Sequence, residues 1–327
     1  MVRDQEEPVA RRLAILALLV FVSSGPAALA DGQMPFAAQN SSGVLSPDGS
    51  LRYLALNDGP NTVLAEVQTK DGTLRMETPL VGSYGIPTIV AGGPGAGLSL
   101  DGRTLVVANP DLNTPSRFLV YDTRTMRMKD GIDLNGSFAF DALSPDGSRL
   151  YLIQHTEARL GDFSHYVVRA YDLKTNALLP GRIADRTQKG WVMDGYPLAR
   201  VTSADGRFVY TLYQNGGVGG YPFVHALDTV KGVAHCIGLP LSSQSGISNL
   251  VLSLGAGGRT LAVHWKSGRP WLDVDTATWR IGYVHPRTVP WRWTGIGLGG
   301  ALAFAAAAAL LLRRRREARG PVSAPAV

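Results

Sequence analysis

Short runs of alternating apolar and polar residues, rich in β-branched and aromatic side chains, follow one another between residues 40 and 285. Side chains of a strand point alternately to the two faces of a sheet, so this pattern predicts half-buried β-strands. No stretch of this part keeps the 3.6-residue period of an amphipathic helix. The pattern therefore predicts an all-β fold.

A turn motif recurs between these runs. In the ten-residue unit 143–152, a Pro-Asp-Gly turn separates two apolar strand fragments. Proline presets φ, aspartate bonds its own backbone and glycine accepts positive φ, which together favour a tight hairpin. The aspartates of this first corner are Asp48, Asp101, Asp146 and Asp205, and a looser version spans 252–258. We expect these aspartates to form turns.

A second corner, typically Asp-Thr, follows an apolar strand in each unit. Its aspartates are Asp122, Asp172, Asp228 and Asp275, with Gln68 in the first unit, and they recur at intervals of 54, 50, 56 and 47 residues. Each unit then predicts four strands, with a fourth strand such as 178–184 or 234–239 after the second corner. Repeated four-stranded units predict a β-propeller of about five blades, and the spacing leaves a sixth blade open.

The two corners resemble the YVTN and WD40-like (PD40-type) propeller repeats, in which a Ser-Pro-Asp-Gly turn and a Tyr-Asp-Thr strand recur. The resemblance covers roughly residues 40–285. It implies the propeller fold and is silent on function, because propellers of this group include binding scaffolds and a minority of enzymes.

The N-terminal 30 residues have the features of an export signal. Arg11 and Arg12 precede an apolar run, and the small-residue sequence Ala28-Leu29-Ala30 follows a Ser-Gly-Pro break. A signal peptidase accepts such a site, so we expect a signal peptide over 1–30 and an ectodomain over 31–285.

The C-terminal region predicts a single membrane span. Residues 294–312 are apolar throughout and long enough to cross a bilayer as a helix. A linker (286–293) containing Trp291 precedes the span, and the basic tail 313–327 follows it, which predicts a cytoplasmic C-terminus and an ectodomain outside the cytoplasm. Gly295 and Gly299 could pair two spans in a homodimer.

Charge and composition exclude several classes of function. The net charge is +6, but residues 292–327 hold six arginines against Glu317, so the propeller region is nearly neutral and offers no surface for nucleic acid. Cys236 is the only cysteine, which excludes a disulfide within the chain and a site of paired cysteines. The glycine-rich stretches 92–99 and 295–300 lack the lysine or the strand context of nucleotide-binding loops, so we predict no cofactor.

The long, varied loops predict where a ligand would bind. In each blade, loops from the second to the third strand lie on one end of the propeller, which we call the loop face, whereas both corners lie on the opposite end, the corner face. Binding residues collect on variable loops of rigid scaffolds. The candidates are His155, Glu157, His165, Trp191, Asp194, Tyr213, His264 and Trp265. Because a blade begins and ends at the loop face, we expect that face to lie near the bilayer.

These residues favour a binding scaffold over an enzyme. No histidine has metal-ligand spacing and no nucleophile motif is present, so the sequence predicts neither a catalytic residue nor a metal site. The expected partner is a protein or envelope component near the membrane. The alternative is a lactonase-like hydrolase or a metal-dependent enzyme acting at the loop face or central channel, and a purely structural spacer is the third hypothesis.

Overall fold

The computed structural model describes residues 35–112, 115–158, 162–185, 192–214, 222–241 and 246–284. In these residues the chain forms β-strands and two 3-10 turns, Ile247–Asn249 and Ala256–Gly258, which confirms the all-β prediction for this part. The described residues contain no helix that is long and apolar enough to cross a membrane. The predicted signal peptide, linker, membrane span and basic tail lie outside the described residues.

The described residues form six antiparallel sheets, of which one has two strands and the five larger ones follow one another along the chain, in agreement with the repeats. We call the five larger sheets blades 1 to 5. The strands in chain order are β1 (Phe36–Ala38); β2 (Val44–Leu45), β3 (Leu51–Asp58), β4 (Asn61–Gln68) and β5 (Leu74–Leu80) of blade 1; β6 (Ile86–Thr88); β7 (Thr104–Ala108), β8 (Ser116–Asp122) and β9 (Arg127–Leu134) of blade 2; β10 (Phe138–Leu143), β11 (Arg149–His155), β12 (His165–Asp172), β13 (Ala177–Leu178) and β14 (Met193–Asp194) of blade 3; β15 (Tyr196–Thr202), β16 (Phe208–Gln214), β17 (Phe223–Asp228) and β18 (Val233–Gly238) of blade 4; and β19 (Leu250–Leu254), β20 (Thr260–Trp265), β21 (Pro270–Asp275) and β22 (Ile281–Tyr283) of blade 5.

Blades 2 and 3 depart from the predicted four strands. The first strand of blade 2 is split, because Gly85 pairs with Ala108 and Leu98 pairs with Leu105. Between these two pairings, β6 forms its own two-stranded sheet with β1. In blade 3, the predicted fourth strand 178–184 is only β13 followed by one bridge at Ile183, and β14 adds to the loop-face end of β12.

Apolar side chains join each blade to the next. Four clusters of buried side chains connect blades 1 and 2, 2 and 3, 3 and 4, and 4 and 5. Leu64, Leu150 and Leu261 are fully buried in these clusters. A buried leucine contributes about 1.5–3 kcal/mol through removal of its surface from water. Successive antiparallel sheets packed face to face are typical of a β-propeller, and three of these five have the usual four strands.

The corner aspartates form turns, as predicted. In the first corner, the Ser144 hydroxyl donates to Asp146 Oδ1 (2.7 Å), and the same carboxylate accepts the N–H of Ser148. The pattern repeats at Asp48, Asp101 and Asp205. Blade 5 has glycine in place of both serine and aspartate, at Gly255 and Gly257, and keeps the turn through backbone bonds alone.

A tyrosine on the second strand ties several blades to the next one. Tyr151 donates its hydroxyl hydrogen to the carbonyl of Thr229, in the second corner of blade 4 (2.7 Å). Tyr53 and Tyr210 interact with the corresponding threonines, Thr123 and Thr276, through the threonine side chains. Blade 2 has Val106 at the position of this tyrosine, and blade 3 has Leu173 at the position of the threonine. An apolar contact therefore replaces the tyrosine–threonine hydrogen bond between these two blades.

The corner aspartates make folding sensitive to acid. Hydrogen bonds from Ser46, and from Arg124, lower the pKa of Asp48 and Asp122 to about 2. A carboxyl whose pKa is lower in the folded protein stabilises it above the unfolded pKa, near 4, and loses this effect as the pH falls to the folded pKa. We therefore expect the free energy of unfolding, measured with urea, to decline between about pH 4 and pH 2, and to decline less in Ser46→Ala. A flat profile would contradict these roles.

Candidate functional site

The structure places four of the predicted residues at the loop-face end of blade 3. His155 ends β11, Glu157 lies in the following loop, His165 begins β12 and Asp194 ends β14. His165 and Asp194 are partners across the β12–β14 pair, so their side chains share one face. Three strands and one loop of blade 3 therefore hold these residues.

His165 stands among carboxylates. Its Nδ1 lies 3.0 Å from Asp162 Oδ2 and 3.9 Å from Glu157 Oε2. Asp162 is held in place by its own turn, because the N–H and hydroxyl of Ser164 both donate to Oδ1 (2.8 and 2.7 Å). This Asx turn leaves Oδ2 free to face the imidazole.

The carboxylates keep His165 charged to a higher pH than usual. Partial burial opposes the charged form, but the bond to Asp162 and the charges of Asp194 and Glu157 outweigh it and raise the pKa of His165. Hydrogen bonds from Ser164 lower the pKa of Asp162, so that carboxyl is ionised near neutral pH. Three acidic side chains around one imidazole give the site a negative charge and suit a cationic group.

The same residues include the atoms that metal ions use. One ligand atom from each of Glu157, Asp162 and His165 lies within 4.8 Å of the others. Carboxylate oxygens and an imidazole nitrogen suit a divalent cation such as Zn²⁺ or Mn²⁺. The sequence predicts no metal site, because these residues have no recognised ligand spacing. All three are at least partly exposed, and exposed acidic groups gather in proteins without binding an ion.

Two predicted residues lie beneath the surface instead of on it. His155 is 5% exposed and Tyr213 is 1% exposed. The Nδ1 of His155 is bonded to the carbonyl of Phe163 (2.8 Å), and burial lowers its pKa to about 4, so it is neutral near pH 7. Tyr213 packs between Tyr166 and Phe223. Both side chains are buried because β11 and β16 are covered on both faces, so neither lies on the exposed surface of the loop face.

The remaining candidates do not belong to this cluster. His264 and Trp265 end β20 in blade 5, where His264 Nε2 lies 3.1 Å from the Ser253 hydroxyl. Trp265 lies beside Trp271 and beneath the guanidinium of Arg269. Trp191 lies outside the described residues. The structure thus gathers the blade 3 candidates and leaves those of blade 5 apart.

Sequence reasoning missed Asp162. The signal was present in Asp162-Phe163-Ser164-His165, because an aspartate two residues before a serine is typical of an Asx turn. Such a turn directs the second carboxylate oxygen toward the following residues.

A groove of about 550 Å³ lies elsewhere, between the outer strands of blades 1 and 2. Its lining includes Leu80, Tyr84, Met126 and Met128, and none of the predicted candidates. Polar side chains, among them Thr78, Thr125 and Arg127, also line it, and size alone does not make this groove the site.

Removing the Asp162 charge should lower the pKa of His165. We expect Asp162→Asn to bring the His165 pKa down toward or below its usual value, because the bond to the charged imidazole and one nearby negative charge are lost together. NMR titration of the imidazole protons measures the change. Asp133→Asn, on blade 2, is the control and should leave the His165 titration unchanged. An equal shift in both variants would contradict the geometry.

No protein family and no curated protein matches the chain. Among solved structures, one from a study of two prolyl endopeptidases is similar over 88% of this chain and 43% of its own length, with 14% identity and a TM-score of 0.45. The Dos1 propeller is similar over 76% and 59%, with 12% identity and a TM-score of 0.44. TolB from Acinetobacter baumannii is similar over 73% and 55%, with 14% identity and a TM-score of 0.40. The chain spans about half the length of these three, and no activity or ligand is transferred from them.

Proposed function

We propose that the protein is a membrane-anchored, extracytoplasmic β-propeller scaffold that binds a protein or envelope partner through the loop face of blade 3. The observation that carries the proposal is the grouping of Glu157, Asp162, His165 and Asp194 at the loop-face end of blade 3. An acidic group of this kind favours a partner that presents lysine or arginine side chains.

The direction of the chain in blade 5 supports a loop face near the bilayer. Strand β21 runs from Pro270 at the loop face toward the corner at Asp275, and β22 returns beside it, with Tyr283 opposite Leu272. The chain therefore leaves blade 5 toward the loop face, and the predicted span begins at residue 294. Proteolysis of intact cells tests this orientation: cuts in the loops with the corners protected would oppose it.

Two further parts of the proposal rest on the sequence. The chain is expected to cross the membrane once, with its C-terminus in the cytoplasm, and to form a homodimer through Gly295 and Gly299. Sedimentation in detergent tests the dimer. We expect Gly299→Leu to sediment as a monomer, and an unchanged sedimentation coefficient would argue against pairing.

A metal-dependent or lactonase-like hydrolase is the second candidate, and the ligand-type atoms of Glu157, Asp162 and His165 favour it. Metal analysis of the dialysed protein and assays on a panel of esters and lactones separate the two functions. Bound metal with turnover that Glu157→Gln abolishes would replace the scaffold proposal. Activity that survives this substitution would place the reaction elsewhere.

Co-purification of the full-length protein tests the scaffold proposal. We compare the wild type with a Glu157→Gln/Asp162→Asn variant and with a control, Glu77→Gln/Asp133→Asn, which removes the same charge from blades 1 and 2. The proposal predicts a partner that is retained by the wild type and the control and lost from the blade 3 variant. Equal recovery from all three proteins would contradict it.

A further inference from the structure

A row of polar side chains crosses the buried interface between blades 3 and 4. Arg200, Thr211, His225 and Cys236 are successive cross-strand partners on β15, β16, β17 and β18, so all four side chains lie on one face of blade 4. The apolar residues around them on this face pack against blade 3. Polar groups in such a place need hydrogen-bond partners.

Asp141 supplies one partner from blade 3. It sits where the β10–β11 register shifts, and a bulge of this kind redirects a side chain. Arg200 donates from Nη1 to Asp141 Oδ1 (2.9 Å) and from Nη2 to the Asp141 carbonyl (2.8 Å). The second carboxylate oxygen, Oδ2, is buried and has no partner among the described residues.

His225 also has a buried polar atom without a hydrogen-bond partner among the described residues. It is 2% exposed, and its Nδ1 faces Cys236 Sγ at 3.6 Å. Its Nε2, on the opposite side of the ring, is buried without a described partner. Burial lowers the pKa of His225 to about 4, so the ring is neutral near pH 7 and one of its nitrogens must accept a hydrogen bond.

Tyr166 brings a third group to the same place. Its ring lies 5.3 Å from that of Tyr213, which in turn lies 6.5 Å from His225. The Tyr166 hydroxyl is buried and forms no hydrogen bond of normal geometry with the described residues, although the hydroxyl of Tyr213 is close enough to act on its pKa. Burial is the main cause of the raised pKa of Tyr166, and the charge of Asp141 adds to it; the same charge acts on His225, whose pKa burial lowers.

We propose that blades 3 and 4 enclose a bound water molecule held by Asp141 Oδ2, His225 Nε2 and the Tyr166 hydroxyl. Water fits this set of donors and acceptors. With the imidazole proton on Nδ1, it donates one hydrogen to the carboxylate and one to Nε2, and it accepts the hydroxyl hydrogen of Tyr166. Buried waters typically make about three such bonds to groups that would otherwise lack partners.

This site shares strand β12 with the acidic cluster, because Tyr166 follows His165 in the chain. Tyr213, which the sequence predicts as a ligand contact, packs against Tyr166. The water therefore gives a role to residues that the scaffold function leaves unexplained. The water would join blade 3 to blade 4.

The sign of a stability change tests the proposal. If Tyr166 bonds to a water, Tyr166→Phe removes a hydrogen bond, and we expect the Tm to fall by about 2–4 °C. Tyr151→Phe is the control, because it loses the hydrogen bond to Thr229 at the same interface. Its Tm should fall by a similar amount. A Tm of Tyr166→Phe that is unchanged or higher than that of the wild type would overturn the proposal, because removal of an unpartnered buried hydroxyl is not destabilising.

A high-resolution crystal structure of the protein gives the second readout and does not depend on the folding of a variant. We expect one solvent peak within hydrogen-bonding distance of Asp141 Oδ2, His225 Nε2 and the Tyr166 hydroxyl. An empty site, or direct bonds among the three side chains, would overturn the proposal. Electron density larger than a single water molecule would also overturn the proposal, because a different molecule would then occupy the site.

Discussion

Replacing Arg200 with alanine is expected to destabilise the protein by about 3–5 kcal/mol, because a buried charge is left without its partner. The Asp141 side chain is 3% exposed, and Arg200 provides both the counter-charge and two hydrogen bonds. Urea denaturation of the wild type and Arg200→Ala measures the difference in the free energy of unfolding. This is the largest electrostatic effect that the described ion pairs predict.

An exposed ion pair gives the comparison that makes this prediction specific. Arg117→Ala breaks the exposed pair with Asp133 and should cost no more than about 1 kcal/mol. A loss in Arg200→Ala no larger than the loss in Arg117→Ala would show that the buried pair contributes little to stability.

Gly43→Ala is expected to cost about 2–5 kcal/mol. Gly43 has φ of +68°, where a side chain adds about 1–2 kcal/mol of strain. A Cβ there would also meet the carbonyl oxygen of Tyr53 and the Leu54 side chain, and forced overpacking of this kind typically costs about 1–3 kcal/mol. Since β2 begins at the next residue, the inner strand of blade 1 would have to move away from β3.

Gly49→Ala is the matched control for this effect. Gly49 has nearly the same φ, +70°, but an added Cβ would find no atom within 4 Å. Gly49→Ala should therefore cost only the backbone strain, about 1–2 kcal/mol. Equal losses in the two variants would show that the close approach of Gly43 to β3 does not matter for stability.

Local turn chemistry explains why the blades could be predicted from the sequence. Asp146 and its repeats act within a few residues of themselves, through bonds to Ser144 and to the backbone of residue 148. Because these bonds connect residues within one hairpin, the motif predicts the turn whatever the rest of the fold is. The split first strand of blade 2 could not be predicted in this way, because it depends on pairing between Gly85 and Ala108 and on β1.

The candidate site could be predicted in part for the same reason. The loop that carries Glu157 and His165 stands out in the sequence as long and polar, and the structure brings these residues together. The burial of His155 and Tyr213 arises because neighbouring blades cover both faces of β11 and β16, and the sequence of one strand does not reveal this packing. The Asp141–Arg200 pair joins residues 59 positions apart in the chain and has no local signature.

Crosslinking in intact cells tests the central claim most directly. A photoreactive amino acid replaces Thr156, an exposed loop-face residue beside Glu157, or Val230, which is 56% exposed at the second corner of blade 4. The account predicts that the probe at position 156 captures a defined partner and that the probe at position 230 does not. Capture from position 230 alone would place the binding surface on the corner face and contradict the account.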